Sequence, residues 1–384
     1  QIKKANFPIL NGNLFFEGTD DLVWDNPYLI LERAGLKIGI IGLHGKFAFY
    51  DTINFKMTEG IEARDEEEYL RQYIKELEPI TDIIILAVHQ GMPGRQSTIG
   101  LTDVERNLYK DILLAKNVPG VDIIVTGHAH QGTEKALVSN GTIIVSTNAT
   151  ATELGKLQVM FDTEKKKIVS HSNELITIYD DELEDDADML REITFWQKEV
   201  DQVAKVPIVS STKKLVRAYG KESNMGNLFA DAIEAFDPRI DIAVVNSGAL
   251  RQDIQPGTVT KGDLISAFPF PNTVVMTKLK GSQVVKIFNH AAGMTNGILQ
   301  VSKNAKYSFS PRNKAHEIWI KGKPLKNDDE YWVAAPNFVT QGGDGYWEFQ
   351  NSIEYIDTGV LIVDAAEYFL QDMEVYEPKY EGRV

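Results

Sequence analysis

Three histidines occupy positions from which imidazole could bind a metal ion. His89 directly follows the apolar run IIILAV, and His128 and His130 follow VDIIVTG in a Gly-His-x-His sequence. In open α/β sheets, ligands bind just beyond the carboxyl ends of the strands, so two such strand ends would bring these imidazoles together. Imidazole is a common ligand of zinc, manganese and iron. The pattern therefore predicts that His89, His128 and His130 bind metal.

A structural role is the alternative for any single histidine at a strand end. We favour the metal interpretation because a Gly-His-x-His sequence and a second strand-end histidine occur together. His44 also follows an apolar run, but nothing else in the sequence supports a chemical role for it. We therefore expect His44 to be structural.

Three histidines alone do not make a two-metal hydrolase. Two cations held about 3.5–4 Å apart need a bridging carboxylate and further ligands. The chain contains neither Asp-x-His nor Gly-Asn-His, and its opening QIKKA resembles the end of a helix whose start is missing. We expect the remaining ligands before residue 1, unless the site is of a simpler kind.

The second half of the chain contains three glycine-containing patterns that suit an anionic ligand. SNMGN (223–227) opens a predicted helix, whose free backbone N–H groups could receive an anion. NSGALR (246–251) follows a predicted strand, and its arginine could bind a phosphate or carboxylate through two hydrogen bonds. GGDGY (342–346) comes soon after PNF (336–338). For each pattern alone, a glycine turn with a solvated charged residue is an equally good explanation.

Two phenylalanines lie in loops where a large aromatic ring has no evident packing role. Phe270 belongs to FPFPN, and Phe338 precedes the GGDGY turn. Two aromatic rings can hold a planar base between them, each contributing about 1–3 kcal/mol by analogy with nucleic-acid stacking. Core packing is the alternative for either ring on its own.

The first half of the chain alternates predicted strands with predicted helices. The elements are strands Leu36–Leu43, Ile83–Val88 and Val121–Val125, a helix over 65–78, and a second helix with Val104, Leu108 and Ile112 on one face. The continuous apolar runs are typical of strands buried on both faces. Asn140-Gly141 predicts a hairpin, so the sheet should end in antiparallel strands. This alternation indicates an α/β layered domain.

A long helix is predicted over residues 181–205, ending before Pro207. The second half then mixes elements: a helix from about Ser223 to Phe236, strands Ile242–Val245 and near Tyr331–Ala335, and a helix from about Val360 to Leu370. A length of 384 residues fits two domains. We therefore predict domains over 1–180 and 206–384, joined by the helix.

The composition limits the classes of partner. With 43% apolar and 25% charged residues, the chain is of the soluble globular type. A net charge of −15 argues against nucleic-acid polymers and anionic membranes as general partners, although a metal ion or an arginine can still attract a small phosphorylated ligand. The longest fully apolar run, Ile83–Val88, is far shorter than the roughly 20 residues of a membrane span. The absence of cysteine excludes disulfides and thiolate metal sites and leaves the compartment open.

Taken together, these motifs resemble the 5′-nucleotidase family, which includes UDP-sugar hydrolases and cyclic-nucleotide phosphodiesterases. The resemblance runs in order through AVHQG, VTGHAH, ESNMGNLFADA, NSGALR, FPFPN, GGDGY and VYEP, over essentially the whole chain. It implies an α/β fold: an incomplete metallophosphoesterase (calcineurin-like) sandwich of mixed sheets and helices, joined by a long helix to a second, α+β nucleotide-binding domain. The amino-terminal part of the first domain would be missing.

The resemblance also implies roles for individual residues. His89 and His128 would bind one divalent metal ion and His130 the other, Arg251 would bind phosphate or substrate, Asn246 and Asn272 would lie near the base, Phe270 and Phe338 would clamp the base, and Asp344 would hold the ribose hydroxyls. The two metals would be zinc, manganese, cobalt or iron. The ligand would be a nucleotide or nucleoside, and the location would be outside the cytoplasm.

The implied reaction is the hydrolysis of nucleotide phosphate esters at a two-metal site, and alternatives stay open. The family's Asp-x-His, bridging Asp and Gly-Asn-His-[Asp/Glu] segments all precede the NFPIL-like strand and are absent here. We therefore expect no catalytic residue in this chain, which on its own should be slow or inactive. A 2′,3′-cyclic-nucleotide phosphodiesterase or a UDP-sugar diphosphatase on the same scaffold is one alternative. A nucleotide-binding fragment without catalysis is another.

Overall fold

The computed structural model describes residues 4–53, 57–90, 102–294, 297–309 and 314–384. The chain divides into two compact units, Gln1–Glu184 (unit 1) and Asp185–Val384 (unit 2). Both units combine helices with sheets of mixed strand direction, which confirms the predicted α/β fold class. Within the described ranges, no helix is long and apolar enough to cross a membrane.

Unit 1 is built around one large sheet. Its elements are β1 (Leu14–Phe16), β2 (Tyr28–Arg33), β3 (Leu36–His44), α1 (Lys46–Thr52), β4 (Ile61–Ala63), α2 (Glu66–Leu77), β5 (Ile83–His89), α3 (Asp103–Asn107), α4 (Tyr109–Asn117), β6 (Ile123–Gly127), β7 (Leu137–Ser139), β8 (Thr142–Val145), β9 (Glu153–Asp162) and β10 (Lys167–Thr177). The large sheet has the strand order β2-β3-β5-β6-β8-β7, while β1 pairs with β4 and β9 pairs with β10. The strands predicted around residues 40, 85 and 124 are thus confirmed.

The direction of the strands decides where the histidines lie. β3, β5, β6 and β8 run parallel, with β2 and β7 antiparallel at the two edges. The predicted hairpin is confirmed, because Asn140 and Gly141 have φ angles of 50° and 85°, as a two-residue hairpin turn requires. In the register of the parallel strands, His44 lies beside His89, and His89 lies beside Gly127. Three strand ends therefore share one edge of the sheet.

The helices of unit 1 agree with the sequence in one case and differ in another. α2 is confirmed: Asp65 caps it by accepting two backbone N–H groups, and its apolar face packs into the core of the sheet. The single helix predicted through Leu108 is wrong, because α3 and α4 are separate helices. Leu108 joins them with φ −100° and ψ 19° while its side chain is fully buried. Apolar residues continue at helical spacing through Leu108, so the sequence does not reveal the break between α3 and α4.

Unit 2 begins with the long helix. Its elements are α5 (Ala187–Ala204), β11 (Pro207–Ser211), α6 (Asn224–Phe236), β12 (Ile242–Asn246), β13 (Gly257–Thr260), α7 (Lys261–Ala267), β14 (Thr273–Lys280), α8 (Gly281–Gly293), β15 (Leu299–Val301), β16 (Ala305–Phe309), β17 (Ala315–Ile320), β18 (Lys323–Pro324), β19 (Glu330–Pro336), α9 (Asn337–Thr340), β20 (Glu354–Leu361), α10 (Ile362–Leu370) and β21 (Val375–Tyr376). The helix predicted over 181–205 starts only at residue 187, because Asp186 caps it.

The central sheet of unit 2 has the order β15-β12-β19-β14-β20. β12 and β19 are parallel, whereas β14 is antiparallel to both β19 and β20. α6 and α10 contribute to the apolar core on one face, and α8 contributes to the core on the other. The sheet is therefore covered on both faces. Side chains can contact a ligand just beyond the carboxyl ends of β12 and β19.

Candidate functional site

Two of the predicted metal ligands meet where the parallel strands of unit 1 end. Nε2 of His89 and Nδ1 of His128 are 3.0 Å apart, and the centroids of the two rings are 4.9 Å apart. Burial lowers the pKa of His89, and the neighbouring His44 and His130 lower it further. His89 is therefore a neutral imidazole at neutral pH, the form in which histidine binds metal.

His130 does not complete a group of three ligands. It lies within electrostatic range of His89, yet the described ranges contain no cluster of three histidine, aspartate or glutamate side chains that could hold a metal ion. The metal-binding role of His89, His128 and His130 therefore stays a prediction.

The backbone that carries His128 and His130 is unusual. Their φ angles are 86° and 53°, in the left-handed region that non-glycine residues rarely adopt. Such a conformation costs on the order of 1–3 kcal/mol per residue and concentrates at functional sites. The strained Gly-His-x-His loop supports a role for these side chains beyond packing.

His44 is a residue that the sequence interpretation assigned to structure alone. Its ring centroid lies 5.4 Å from that of His89, and its Nδ1 is 3.0 Å from the backbone oxygen of Gly45. Asn13 fixes its backbone, accepting the His44 N–H at 2.8 Å and donating to the His44 oxygen at 2.7 Å. The signal was present in the sequence, because parallel strands that both end in histidine place the two rings side by side.

A buried acid lies behind the same strand end. Asp111 of α4 is 2% exposed, and its Oδ1 has no hydrogen-bond partner within the described part of the chain. Burial raises the pKa of Asp111 to about 7, and a hydrogen bond with Thr126 opposes the rise. Thr126 stands two residues before His128. Asp111 is therefore a titratable group that is hydrogen-bonded to the strand leading into the histidine loop.

In unit 2, the strand register brings most of the predicted substrate residues to one edge. Ala243 pairs with Ala334 in the parallel ladder, and Val274 pairs with Pro336 in the antiparallel one. Residues at the end of β12, after β19 and before β14 therefore leave the sheet at the same side. These residues are Asn246, Asn337, Phe338, Phe270 and Asn272.

Asp344 is fixed at this edge by both its side chain and its backbone. Asn246 donates from Nδ2 to Oδ2 of Asp344 at 2.9 Å. Asp344 has a φ of 55°, between Gly342 at 96° and Gly345 at 78°. A Cβ at Gly343 would lie 2.5 Å from the Phe338 ring, so only glycine lets the turn close over Phe338.

His290 holds the same turn, although the sequence indicated no role for it. Its Nε2 donates to the backbone oxygen of Asp344 at 2.8 Å, and its ring contacts Tyr346 with centroids 4.8 Å apart. Asn337 is a second residue that the sequence interpretation missed. It is 6% exposed, and its Oδ1, like that of Asn246, is buried with no hydrogen-bond partner within the described ranges.

The remaining predicted residues lie around this edge. The Arg251 guanidinium is 5.3 Å from the centroid of the Phe270 ring, which is 37% exposed. Phe338 is partly buried against the core. Asn272 is buried, and its backbone oxygen accepts from Ile362 N–H at 2.9 Å. That Phe270 and Phe338 face each other stays a prediction.

Known proteins resemble this chain in sequence and in fold. Residues 202–351 match the family described as 5′-nucleotidase, C-terminal domain. The 5′-nucleotidase of Vibrio cholerae is 27% identical, over 96% of this chain and 72% of that protein. The trifunctional nucleotide phosphoesterase protein YfkN of Bacillus subtilis is 26% identical over 94% of this chain, which spans only 25% of that protein. The crystal structure of a 5′-nucleotidase precursor from Thermus thermophilus has the same fold, with a TM-score of 0.85, 24% identity, and coverage of 100% of this chain and 79% of that one.

Proposed function

Since this chain is related to the 5′-nucleotidases over nearly its whole length and carries their carboxy-terminal domain, we propose that it hydrolyses phosphate esters of nucleotides. The reaction is of the 5′-nucleotidase type, and it uses two divalent metal ions. The domain boundaries that go with this proposal are 1–180 for the metal domain, 181–205 for the linking helix and 206–384 for the substrate domain.

The observation that carries the proposal is the fixed carboxylate at the sheet edge of unit 2. Asp344 is oriented by Asn246 through a 2.9 Å hydrogen bond and lies in a turn that closes over Phe338. A fixed carboxylate accepts two hydroxyl donors well, as the two hydroxyls of a ribose require. Phe270 and Phe338 stack the base from two sides, and Asn246 and Asn272 lie beside it.

Arg251 supplies the positive charge on this side of the substrate. Its guanidinium lies 5.3 Å from the centroid of the Phe270 ring. A planar guanidinium binds phosphate through two parallel hydrogen bonds, which fixes the phosphate as well as attracting it. In a chain with a net charge of −15, such a local cation favours the binding of a phosphorylated substrate.

Two histidines of unit 1, His89 and His128, are close enough to bind the same metal ion. Nitrogen ligands of zinc lie about 2.0–2.1 Å from the ion, so two nitrogens 3.0 Å apart can share one cation. His89 and His128 would hold one metal and His130 the other, with zinc, manganese, cobalt or iron as the ions. Bound divalent ions polarise a phosphate and make a water molecule nucleophilic at neutral pH. His89 contributes by remaining neutral, as its lowered pKa requires.

The substrate class is tested by binding and by turnover. Calorimetric titration with adenosine, in the presence of a chelator, reports on unit 2 alone. Release of phosphate from AMP with manganese, cobalt or zinc, and its loss with the chelator or in His89→Ala, reports on the metal site. Because these 384 residues contain neither Asp-x-His nor Gly-Asn-His, we expect the release to be slow. Adenosine binding together with metal-dependent release of phosphate supports the proposal. If adenosine does not bind and no phosphate is released, the proposal is contradicted.

A panel of substrates separates the proposal from its alternatives. Faster turnover of a 2′,3′-cyclic nucleotide or of a UDP-sugar than of AMP would assign the chain to one of those reactions. Adenosine binding without release of phosphate under any metal would support a nucleotide-binding module without catalysis. An extracytoplasmic location is expected from the resemblance and is tested by cell fractionation.

A further inference from the structure

A cavity of about 500 Å³ opens on the surface of unit 2, and none of the predicted substrate residues lines it. We name it the lysine cavity after its charged residues. Its lining consists of Lys213, Lys214, Val216, Asn224, Pro378, Lys379 and Tyr380. As far as the chain is described, every charged residue in this lining is a lysine.

The fold, and not the chance placement of surface side chains, brings the three lysines together. β11 and β21 are parallel, with Ser211 paired to Tyr376 at their ends. Lys213 and Lys214 follow the end of β11, and Lys379 follows the end of β21. The carboxyl ends of neighbouring parallel strands are where α/β proteins bind ligands.

The floor of the lysine cavity is rigid. Asn224 is 3% exposed, accepts the Val216 N–H at 2.7 Å and donates to the backbone oxygen of Lys214 at 3.0 Å. On the other wall, Asn227 donates to the backbone oxygen of Lys379 at 3.1 Å. Both lysine-bearing segments are thus tied to the first turn of α6, which fixes the backbone from which the lysine side chains extend.

The ion pairs of the cavity lysines contain more cations than carboxylates, although the chain as a whole is acidic. Lys213 and Lys379 share the carboxylate of Glu377, at 3.2 and 3.3 Å. Lys214 lies 3.0 Å from Asp253, which also faces Arg217 at 3.8 Å. In these ion pairs, four cations face two carboxylates, whereas the chain as a whole carries −15. This local excess of positive charge favours the binding of an anion.

We propose that the lysine cavity binds the phosphate groups of a small phosphorylated molecule, at a site separate from the nucleoside residues of unit 2. Lysine ammonium groups bind phosphate as point charges, and three of them suit two adjacent phosphates better than one. The side chains of Lys213, Lys214 and Lys379 are 59%, 44% and 58% exposed, so they can turn from their carboxylates to a ligand. Tyr380, 59% exposed at the rim, adds a hydroxyl donor. The volume admits a diphosphate with a substituent.

The test uses the whole chain and inorganic pyrophosphate as the probe, with a chelator present so that no metal carries the anion to the histidines. Calorimetric titration is compared among the wild type, the triple variant Lys213→Gln/Lys214→Gln/Lys379→Gln, and a control triple variant. The control changes Lys306, Lys323 and Lys326 to Gln, which are exposed lysines elsewhere in unit 2. It alters the net charge by the same amount without touching the cavity.

We expect the cavity variant to bind pyrophosphate at least tenfold more weakly than the wild type, and the control to remain within twofold. Equal weakening in both triple variants would show general charge attraction and overturn the proposal, as would a wild type whose Kd for pyrophosphate exceeds about 10 mM. If Arg251→Gln loses pyrophosphate binding and the cavity variant does not, the anion occupies the nucleoside site and the separate cavity is excluded. Repeating the titration with inorganic phosphate and with ADP then shows whether one phosphate, two, or a nucleoside diphosphate is preferred.

Discussion

The two units each place a candidate site beyond the ends of parallel strands, but they hold the polar groups of these sites differently. In unit 1, nitrogens of His89 and His128 face each other at 3.0 Å, and the second of these residues has a left-handed backbone. In unit 2, Asn246 donates to Asp344, whose backbone oxygen accepts from His290. The first arrangement suits a cation that both nitrogens bind. The second fixes a carboxylate before any ligand arrives, so unit 2 is organised by its own hydrogen bonds.

One buried acid from each unit shows a similar contrast. In unit 2, Asp231 accepts from both terminal nitrogens of Arg383, at 2.7 and 2.8 Å, and both side chains are nearly inaccessible. In unit 1, Asp111 is equally buried, and its pKa is raised to about 7 because burial outweighs its hydrogen bond with Thr126. Asp231 is thus compensated by a buried cation, whereas Asp111 lacks one and titrates near neutral pH.

The largest expected effect concerns the compensated pair. Arg383→Met leaves Asp231 buried without its cation, and we expect a loss of about 3–5 kcal/mol in the free energy of unfolding of unit 2. Denaturant unfolding measures it. Arg239→Met is the matched control, because Arg239 pairs with Asp237 at the same 2.7 Å but is 52% exposed, and exposed pairs contribute about 0–1 kcal/mol. Equal losses in the two variants would show that burial does not distinguish these pairs.

The uncompensated acid should give an effect of opposite sign. The folded state binds the Asp111 proton more tightly than the unfolded state does, so the wild type loses stability as the pH rises from about 4 to about 7. Asp111→Asn cannot titrate, and we expect it to raise the free energy of unfolding at pH 8 by up to about 4 kcal/mol. The gain should vanish below about pH 4. Asp103→Asn, at an 84% exposed side chain, is the control, and we expect it to change the free energy of unfolding by at most about 0.5 kcal/mol. A gain at pH 8 that persists at pH 4 would exclude titration as its cause.

The aromatic residues test whether unit 2 is organised for a base. Phe270→Ala and Phe338→Ala should each weaken adenosine binding by about 1–3 kcal/mol, measured by calorimetry. The melting temperature should separate the two variants. Phe270 is 37% exposed, so its loss should barely change the melting temperature, whereas Phe338 packs against the core and Gly343, so its loss should lower it. Tyr368→Ala, at an exposed ring of the same unit, is the control. Unchanged adenosine binding in both phenylalanine variants would leave only a packing role.

Much of the fold could be predicted because the signals are local. Continuous apolar runs predicted β3, β5 and β12, and Asn140-Gly141 predicted the turn between β7 and β8. The joint at Leu108 could not be predicted, because a buried leucine fits the helical apolar face on either side of it. The predicted start of α5 was too early in the sequence. The acidic residues before Asp186 are as compatible with a helical first turn as with a loop.

The site residues also divide into those that have a local sequence signal and those that do not. Histidines directly after apolar strands could be found from the sequence, and so could the glycine turn around Asp344. His290 could not, because it lies on α8, 54 residues before Asp344, and only the packed structure brings the two together. Asn337 was hidden for another reason: that it leaves the sheet at the same side as Asn246 follows from the parallel pairing of β12 with β19, which a single sequence does not specify.

The smallest expected effect tests whether the hydrogen bond from His290 fixes Asp344 for the ligand. His290→Leu removes the donor to the Asp344 backbone oxygen at 2.8 Å while retaining an apolar contact with Tyr346. A hydrogen bond of this kind contributes about 1 kcal/mol, so adenosine binding should weaken about fivefold. Adenine lacks the ribose that Asp344 is expected to hold, so its affinity should not change. His290→Gln, whose amide nitrogen can donate from a similar position, should restore most of the adenosine affinity. Calorimetry with both ligands on all three proteins measures this. Equal weakening of adenine and adenosine by His290→Leu would mean that the pocket is deformed as a whole, and full adenosine affinity in that variant would mean that the glycines and Asn246 hold Asp344 without His290.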